Sequence, residues 1–307
     1  MRSLIALGVL AFLITACGTP SKKATVESRY SYSNSFEMAD PVNLELVRNW
    51  NNALVAGKID QAFSYVGDSL ELIFADGTRY NTTKDSVRKV VDKMLPAMTN
   101  LKVRFIAGIP VTSKDKGDTW VLSYTDESFT GGGNAVRYIA HELYLIKNGK
   151  IRVLFAYEQQ PTSADLVTDG GGSGYSYSGA FEMMDNDYLE IVQGMNDALV
   201  TKNFDLVGTY LADSVSAMFP DGTLINGKDS LMAVARKVFE KTDIKIDYVA
   251  AMVVRSTDKR GEWVLLWTNE TWTSPEGVVR FNYHGAFQIV NGKIRFFREF
   301  TGKEKKG

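Results

Sequence analysis

The chain is written twice. YSYSNSFEMAD, from Tyr30, returns as YSYSGAFEMMD, from Tyr175, an offset of 145. That offset holds for Ala53-Leu54-Val55 against Ala198-Leu199-Val200, for Asp68-Ser69 against Asp213-Ser214, and for Phe74-Ala75-Asp76-Gly77-Thr78 against Phe219-Pro220-Asp221-Gly222-Thr223. It falls to 143 by Trp120-Val121-Leu122 against Trp263-Val264-Leu265, so only small loop deletions separate the copies. A repeat this long is a duplicated domain and not a solenoid of short units. The 307 residues are enough for two domains, each with its own core. Between the copies, residues 161–174 end in Asp169-Gly170-Gly171-Gly172-Ser173-Gly174, a composition that links instead of packing. The boundaries read as residues 29–160 for the first domain and 175–302 for the second, with a solvated basic tail at 303–307.

Each copy puts helices first and a long meander after them. In the first, a helix starts at Pro41, carries Leu46, Val47, Trp50, Ala53 and Leu54 at three- and four-residue spacing, and stops at Gly57. A short helix follows over 60–65, then a strand over 70–74, a tight turn at Asp76-Gly77 and an amphipathic helix over 84–94. Four strands come next, over 102–111, 119–130, 135–147 and 150–157, joined by the turns Lys116-Gly117, Gly131-Gly132-Gly133 and Asn148-Gly149. Such short connections make the sheet antiparallel. The second copy repeats the order with helices over 185–202 and 228–241 and strands near Ile244, Glu262, Val278 and Lys293. This is an α+β layout in which a curved sheet wraps around helices.

The N-terminus reads as an export signal. Arg2 supplies a positive start, residues 4–14 an apolar stretch too short to span a bilayer, and Ile14-Thr15-Ala16-Cys17 a small-residue cleavage site. The last four residues resemble the lipobox of bacterial lipoproteins. That resemblance implies a signal peptide over 1–16, diacylation of Cys17, and a tether over 17–28 holding the folded part at a membrane of the bacterial cell envelope. An ordinary secretory signal with a chance cysteine is the other reading. Cys17 is the sole cysteine, so no disulfide is expected, and two histidines without thiols make a metal site unexpected. No motif calls for a cofactor. Near-balanced charge, 35 basic residues against 36 acidic, argues against a nucleic-acid partner.

The order of elements, with Asp-Gly-Thr after the first strand and Asn-Gly-Lys-Ile at the last hairpin, resembles the nuclear transport factor 2-like (NTF2-like) superfamily, which includes the SnoaL-like polyketide cyclases and ketosteroid isomerase. The resemblance covers both domains. It implies two tandem cones, each with helices packed in a curved antiparallel sheet around an apolar pocket.

His141 and His284, the only histidines, sit at matched places eight residues before the glycine of a shared Asn-Gly-Lys-Ile-Arg turn. Strand alternation puts Arg137, Ile139, His141, Leu143 and Leu145 on one face, and Arg280, Asn282, His284, Ala286 and Gln288 on the matching face. By the resemblance, each histidine matches the acidic oxyanion-hole residue of ketosteroid isomerase and faces the pocket. The pocket candidates are therefore Trp50, Arg137, His141, Leu143, Arg280, Asn282, His284 and Gln288. Each histidine reads either as a hydrogen-bond donor or proton carrier there, or as a half-buried residue bonded to a neighbour.

The rest of the isomerase constellation is missing. Its general base would fall at Ile73 or Phe74 and at Met218 or Phe219, and its oxyanion tyrosine at Trp50 and Met195. Only the Trp50 indole can still donate a hydrogen bond. Glu127 and Glu270 match between copies and read either as partners of a histidine or as solvent-facing or interface residues. The repeated YSYS segments read as arms packing on their own domains or as lids on a pocket mouth.

Two function classes follow. One is a non-catalytic envelope lipoprotein binding a small apolar molecule or an envelope protein; the other is acid–base catalysis on a small organic substrate by the histidines. The opposite strand faces, Tyr138, Ala140, Tyr144 and Ile146 against Phe281, Tyr283, Phe287 and Ile289, are too apolar for water. They imply an internal pseudo-dimer with sheets back to back, and a chain that is otherwise monomeric.

Overall fold

The computed structural model describes residues 29–73, 79–160, 180–257 and 261–303. The signal peptide, Cys17, the tether, the Asp76-Gly77 turn, the glycine-rich linker, Tyr175 and Tyr177, and the end of the basic tail lie outside the described residues.

The first half carries helices α1 (Val42–Val55), α2 (Ile59–Ser64) and α3 (Lys84–Met94) with strands β1 (Phe36–Met38), β2 (Val66–Ile73), β3 (Arg79–Thr83), β4 (Met98–Ser113), β5 (Thr119–Gly131), β6 (Asn134–Lys147) and β7 (Lys150–Gln159). The second repeats them as α4 (Leu189–Val200), α5 (Phe204–Tyr210) and α6 (Lys228–Phe239), with β8 (Phe181–Met183), β9 (Leu211–Met218), β10 (Leu224–Asn226), β11 (Asp243–Ser256), β12 (Glu262–Ser274), β13 (Gly277–Val290) and β14 (Lys293–Lys303). The expected helix over 185–202 is a 3-10 turn, Asn186–Tyr188, followed by α4.

Local chemistry sets these boundaries. Gly57 takes a φ of 67° just past α1, a left-handed conformation that ends a helix at little cost in glycine. The Thr83 side chain caps α3 by accepting from the Ser86 amide at 3.3 Å. Both Asn-Gly hairpins put two consecutive residues at positive φ, Asn148 and Gly149 at 52° and 66°, Asn291 and Gly292 at 51° and 70°. That is the turn whose twist matches two antiparallel strands, and it fixes the register of β6 on β7 and of β13 on β14.

The strands run in the order β1-β4-β5-β6-β7-β14-β13-β12-β11-β8, with β2 parallel to β7 and β9 parallel to β14. The halves join where Glu158 on β7 pairs with Thr301 on β14. Three apolar clusters result. In the first half, Leu44, Val47 and Phe63 pack on Val121, Tyr144 and Ile146; in the second, Leu189, Val192 and Val207 pack on Leu266, Phe287 and Ile289. The third lies between the sheets, with Leu122, Tyr124 and Tyr157 of one half against Met252, Trp267 and Phe300 of the other.

This inverts the expected assignment of faces. Tyr144, Ile146, Phe287 and Ile289, expected on the outward faces, pack on the helices of their own halves. The histidine faces are the ones turned toward each other. The physical reason is that the central strands are buried on both sides, so alternation separates two faces without marking which meets the helices.

The N-terminal arm also departs from expectation, because its first copy crosses over. Ser31 and Tyr32 donate backbone hydrogen bonds to Tyr248 and Val249 of β11 at 3.0 and 2.8 Å, and Ala251 returns one to Ser33 at 3.1 Å. Tyr30 stacks edge-on against Tyr248 and accepts from Gln193 Nε2 at 2.5 Å. Only then does the chain rejoin its own half as β1, paired with β4. No helix among the described residues is long and apolar enough to cross a membrane.

Candidate functional site

The histidine face is built from β5 and β6 in one half and β12 and β13 in the other, where Tyr124 pairs with His141 and Trp267 with His284. The same offset of 143 relates Tyr124 to Trp267 and His141 to His284. The imidazoles stack on each other at 3.9 Å between ring centroids, and neither is exposed. Each half's aromatic residue then reaches the other half's histidine. Trp267 Nε1 donates to His141 Nε2 at 3.2 Å, and Tyr124 Oη lies 2.9 Å from His284 Nε2.

These partners fix the tautomers. An indole nitrogen only donates, so His141 Nε2 must accept; a carbonyl only accepts, so His141 Nδ1–H donates to Ser123 O at 3.2 Å. His284 Nδ1–H donates likewise to Leu266 O at 3.0 Å, which leaves its Nε2 to accept from Tyr124. Burial pushes His141 down to about 3; burial and the neighbouring His141 hold His284 well below the usual range. Both rings are neutral, with every nitrogen engaged by protein.

Beside this pair lies a cavity of about 870 Å³. Its walls are Trp120, Leu122, Leu143, Phe155 and Tyr157 of the first half and Val249, Met252 and Trp267 of the second, with Tyr32 of the crossing arm also lining it. Its polar residues are chiefly Arg79, Asn269, Arg280 and Asn282. Arg79 sits 3.4 Å from Glu71, whereas among the described residues no ion pair or hydrogen bond engages the Arg280 guanidinium.

The sequence-predicted residues are thus divided. Leu143, Arg280 and Asn282 line this inter-half cavity, and His141 and His284 stack next to its Trp267 and Tyr157 walls. Arg137 is elsewhere, holding Asp126 through two bonds of 2.9 Å, with Arg104 adding a third at 2.7 Å. Burial raises the Asp126 carboxyl, but the two guanidiniums outweigh it and hold the group below its usual range. Gln288 pairs in register with Trp263 and lies against the turn at Gly261. Trp50 packs edge-on against Tyr144 in the first half's own core, its Nε1 buried without a partner. Met195 and Met218 are apolar core; Ile73 is buried and lines the inter-half cavity with a side chain that cannot take a proton; Phe74 lies outside the described residues.

Sequence reasoning missed a set of buried carboxyls on the helix-facing side of each sheet. Glu142 accepts from Tyr144 Oη at 2.8 Å and from Ser123 Oγ at 3.2 Å, and Asn51 reaches the same tyrosine at 3.4 Å. Burial first, and then Glu127, push Glu142 up to about 8; burial pushes Glu299 of the second half to about 8 as well. Glu127, half-buried, and Glu270, buried, meet neither histidine. Glu127 accepts from Tyr138 and Thr125 at 2.7 and 2.8 Å, Glu270 from Trp272 and Thr268 at 2.9 and 3.0 Å, and burial raises both.

The halves exchange one carboxyl between adjacent strands. Glu142 pairs in register with Ala156, whereas in the second half Gly285 stands at the matching position and pairs with Glu299. A Cβ on Gly285 would meet the Phe287 ring at 2.4 Å, so the side chain has moved to the neighbouring strand at the same level. The signal for Glu142 was a Glu two residues from a Tyr on a strand face otherwise apolar.

No family model and no curated protein sequence matches the chain. Solved structures do match it in part. An LEH-like epoxide hydrolase of M. tuberculosis is 18% identical over 37% of this chain and 81% of its own, with a TM-score of 0.33. An NTF2-like protein of unknown function from Burkholderia pseudomallei is 18% identical over 38% of this chain and 90% of its own, at 0.32. A protein with a ketosteroid isomerase-like fold from Catenulispora acidiphila is 13% identical over 43% and 96%, also at 0.32.

Proposed function

We propose that the protein is a cell-envelope lipoprotein, anchored through Cys17, whose two NTF2-like halves form an internal pseudo-dimer and bind a small, largely apolar molecule between them without transforming it. The observation that carries this is the cavity of about 870 Å³ between the sheets, walled by side chains from both halves. Concave, mostly apolar spaces of this size with a few converging polar groups suit drug-sized ligands, and junctions between domains are a common place for them.

The histidines favour binding over catalysis. A proton carrier needs a nitrogen free to exchange with substrate and a pKa near the working pH. Here Nδ1 of each ring is given to a backbone carbonyl, Nε2 to the opposite half, and burial holds both rings neutral. Their arrangement suits a lock between halves.

The test uses phenylnaphthylamine, a neutral apolar dye whose emission rises out of water. The wild-type chain should bind it with one-site saturation, and Leu143→Trp, which puts an indole into the space between Leu122 and Phe155, should abolish the signal. No binding by wild type, or equal binding by the variant, overturns the cavity reading. The anchor is tested separately: Cys17→Ser should move the protein out of the membrane fraction and end labelling by a clickable fatty acid, and unchanged labelling overturns it.

A further inference from the structure

The two flanks of the histidine pair carry matched arginines in opposite circumstances. Arg137 and Arg280 are counterparts by the offset of 143, as are Asp126 and Asn269. In the first half the arginine is neutralised, with Asp126 gripping it through both carboxylate oxygens. In the second half the carboxylate has become an amide of the same shape, and Arg280 stands at the cavity without a counterion among the described residues. Among the described residues, Asp247 pairs with Asn269 across β11 and β12, but it does not line the cavity and is held by Lys245 at 2.8 Å. The described lining contains two guanidiniums, Arg79 and Arg280, and no carboxylate.

Resting on the reading of this cavity as a binding site, we propose that its ligand is a hydrophobic organic anion. Its carboxylate, sulfonate or phosphate group meets Arg280, with the amides of Asn269 and Asn282 beside it, and its apolar body lies against Trp120, Phe155 and Trp267. Arg280 and Asn269 are exposed at the cavity mouth; a guanidinium presents paired donors that match an oxyanion's geometry, and a charge-assisted bond is stronger than a neutral one. Aromatic walls add face-on contact with rings. The lost aspartate is the specific element: among the described residues, no counterion stands where a ligand would bring one.

The experiment compares two dyes with the same rings, anilinonaphthalenesulfonate and phenylnaphthylamine, the second lacking only the sulfonate. The full chain should bind the sulfonate about tenfold or more tighter, the scale of one hydrogen bond to a charged group. Arg280→Gln should bring the sulfonate down to the affinity of the neutral dye. Asn269→Asp should do the same by restoring the internal counterion, as in the other half. Leu143→Trp should remove both signals, which locates them in the cavity. Equal affinities in wild type, or a sulfonate preference that survives Arg280→Gln, overturn the anion inference while the neutral dye still reports a binding cavity. Failure of both dyes overturns the cavity reading along with it.

Discussion

On one flank of the stacked histidines the halves meet around open space, and on the other, among the described residues, they meet through packed side chains. Trp120, Leu143 and Phe155 line the cavity; their counterparts Trp263, Ala286 and Arg298 close the opposite flank. Where Phe155 forms a wall, Arg298 is a fully buried cation, bonded through Nε to Gln159 and lying 5.6 Å from the Phe300 ring centroid. Trp263 packs edge-on against Phe296. The axis itself is nearly unchanged between copies, histidine for histidine and aromatic donor for aromatic donor. Duplication thus left the lock that joins the halves alone and let the flanks diverge, one to fill and one to stay open. Under the proposed binding role, the divergent flank is the ligand-specific part and the repeated histidines the structural part.

The largest effect should come from charging the axis. His284→Lys places an ammonium between His141, Trp267 and Phe300, where no acid among the described residues faces it, and an uncompensated buried charge costs about 3–5 kcal/mol. Urea unfolding should show that loss, while Val278→Lys on an exposed strand end should change stability by about 0.5 kcal/mol or less. A loss below about 1 kcal/mol for His284→Lys would mean the histidine pair is not the lock.

The filled flank should respond less and without touching the ligand. Arg298→Met keeps most of the volume but leaves the Gln159 carbonyl buried without its donor, at a cost of about 1–3 kcal/mol. Dye binding should stay at the wild-type value. Loss of binding equal to that of Leu143→Trp would show that the two flanks are coupled and that the contrast between them is false.

The repeat, the strand order and the hairpins were legible because turn chemistry is local: Asn148-Gly149 and Asn291-Gly292 specify their conformation whatever surrounds them. The grouping of Ile139, His141 and Leu143 on one face was legible for the same reason, since alternation is a property of the strand alone. Which face meets the helices was not. Glu142 and Tyr144 share the helix side with apolar Ile146, and Leu143 shares the sheet-to-sheet side with Arg137, so hydrophobicity ranks the two sides about equally. The crossing of Tyr30 to Ser33 onto β11 was hidden too, because a short aromatic arm fits either sheet edge. The missing counterion of Arg280 was readable as Asn269 against Asp126, but it acquires meaning only once both are seen beside a cavity.

A last difference between the halves lies in how far the two inner faces remain equivalent after the carboxyl moved from β13 to β14. Histidines held neutral, from a usual 6.5 down to about 3 for His141, bind fewer protons folded than unfolded, so their contribution falls as pH drops below 6.5. Carboxyls raised from 4.5 to about 8, as Glu142 and Glu299 are, bind more protons folded than unfolded, so theirs is full below 4.5 and is lost as pH rises through 8. Each such group contributes a slope of about 1.4 kcal/mol per pH unit inside its window. Between 4.5 and 6.5 the histidine pair and these two carboxyls oppose each other and nearly cancel. Glu142→Gln keeps an acceptor for Tyr144 and removes one titration, so its stability should change little below pH 4.5. Above that, its stability relative to wild type should rise with pH toward 8. Glu299→Gln should give the same tilt if the exchange preserved the buried acid's environment, and urea midpoints measured from pH 4 to pH 8 compare them. A tilt from one variant and none from the other would mean that the inner faces diverged as the flanks did.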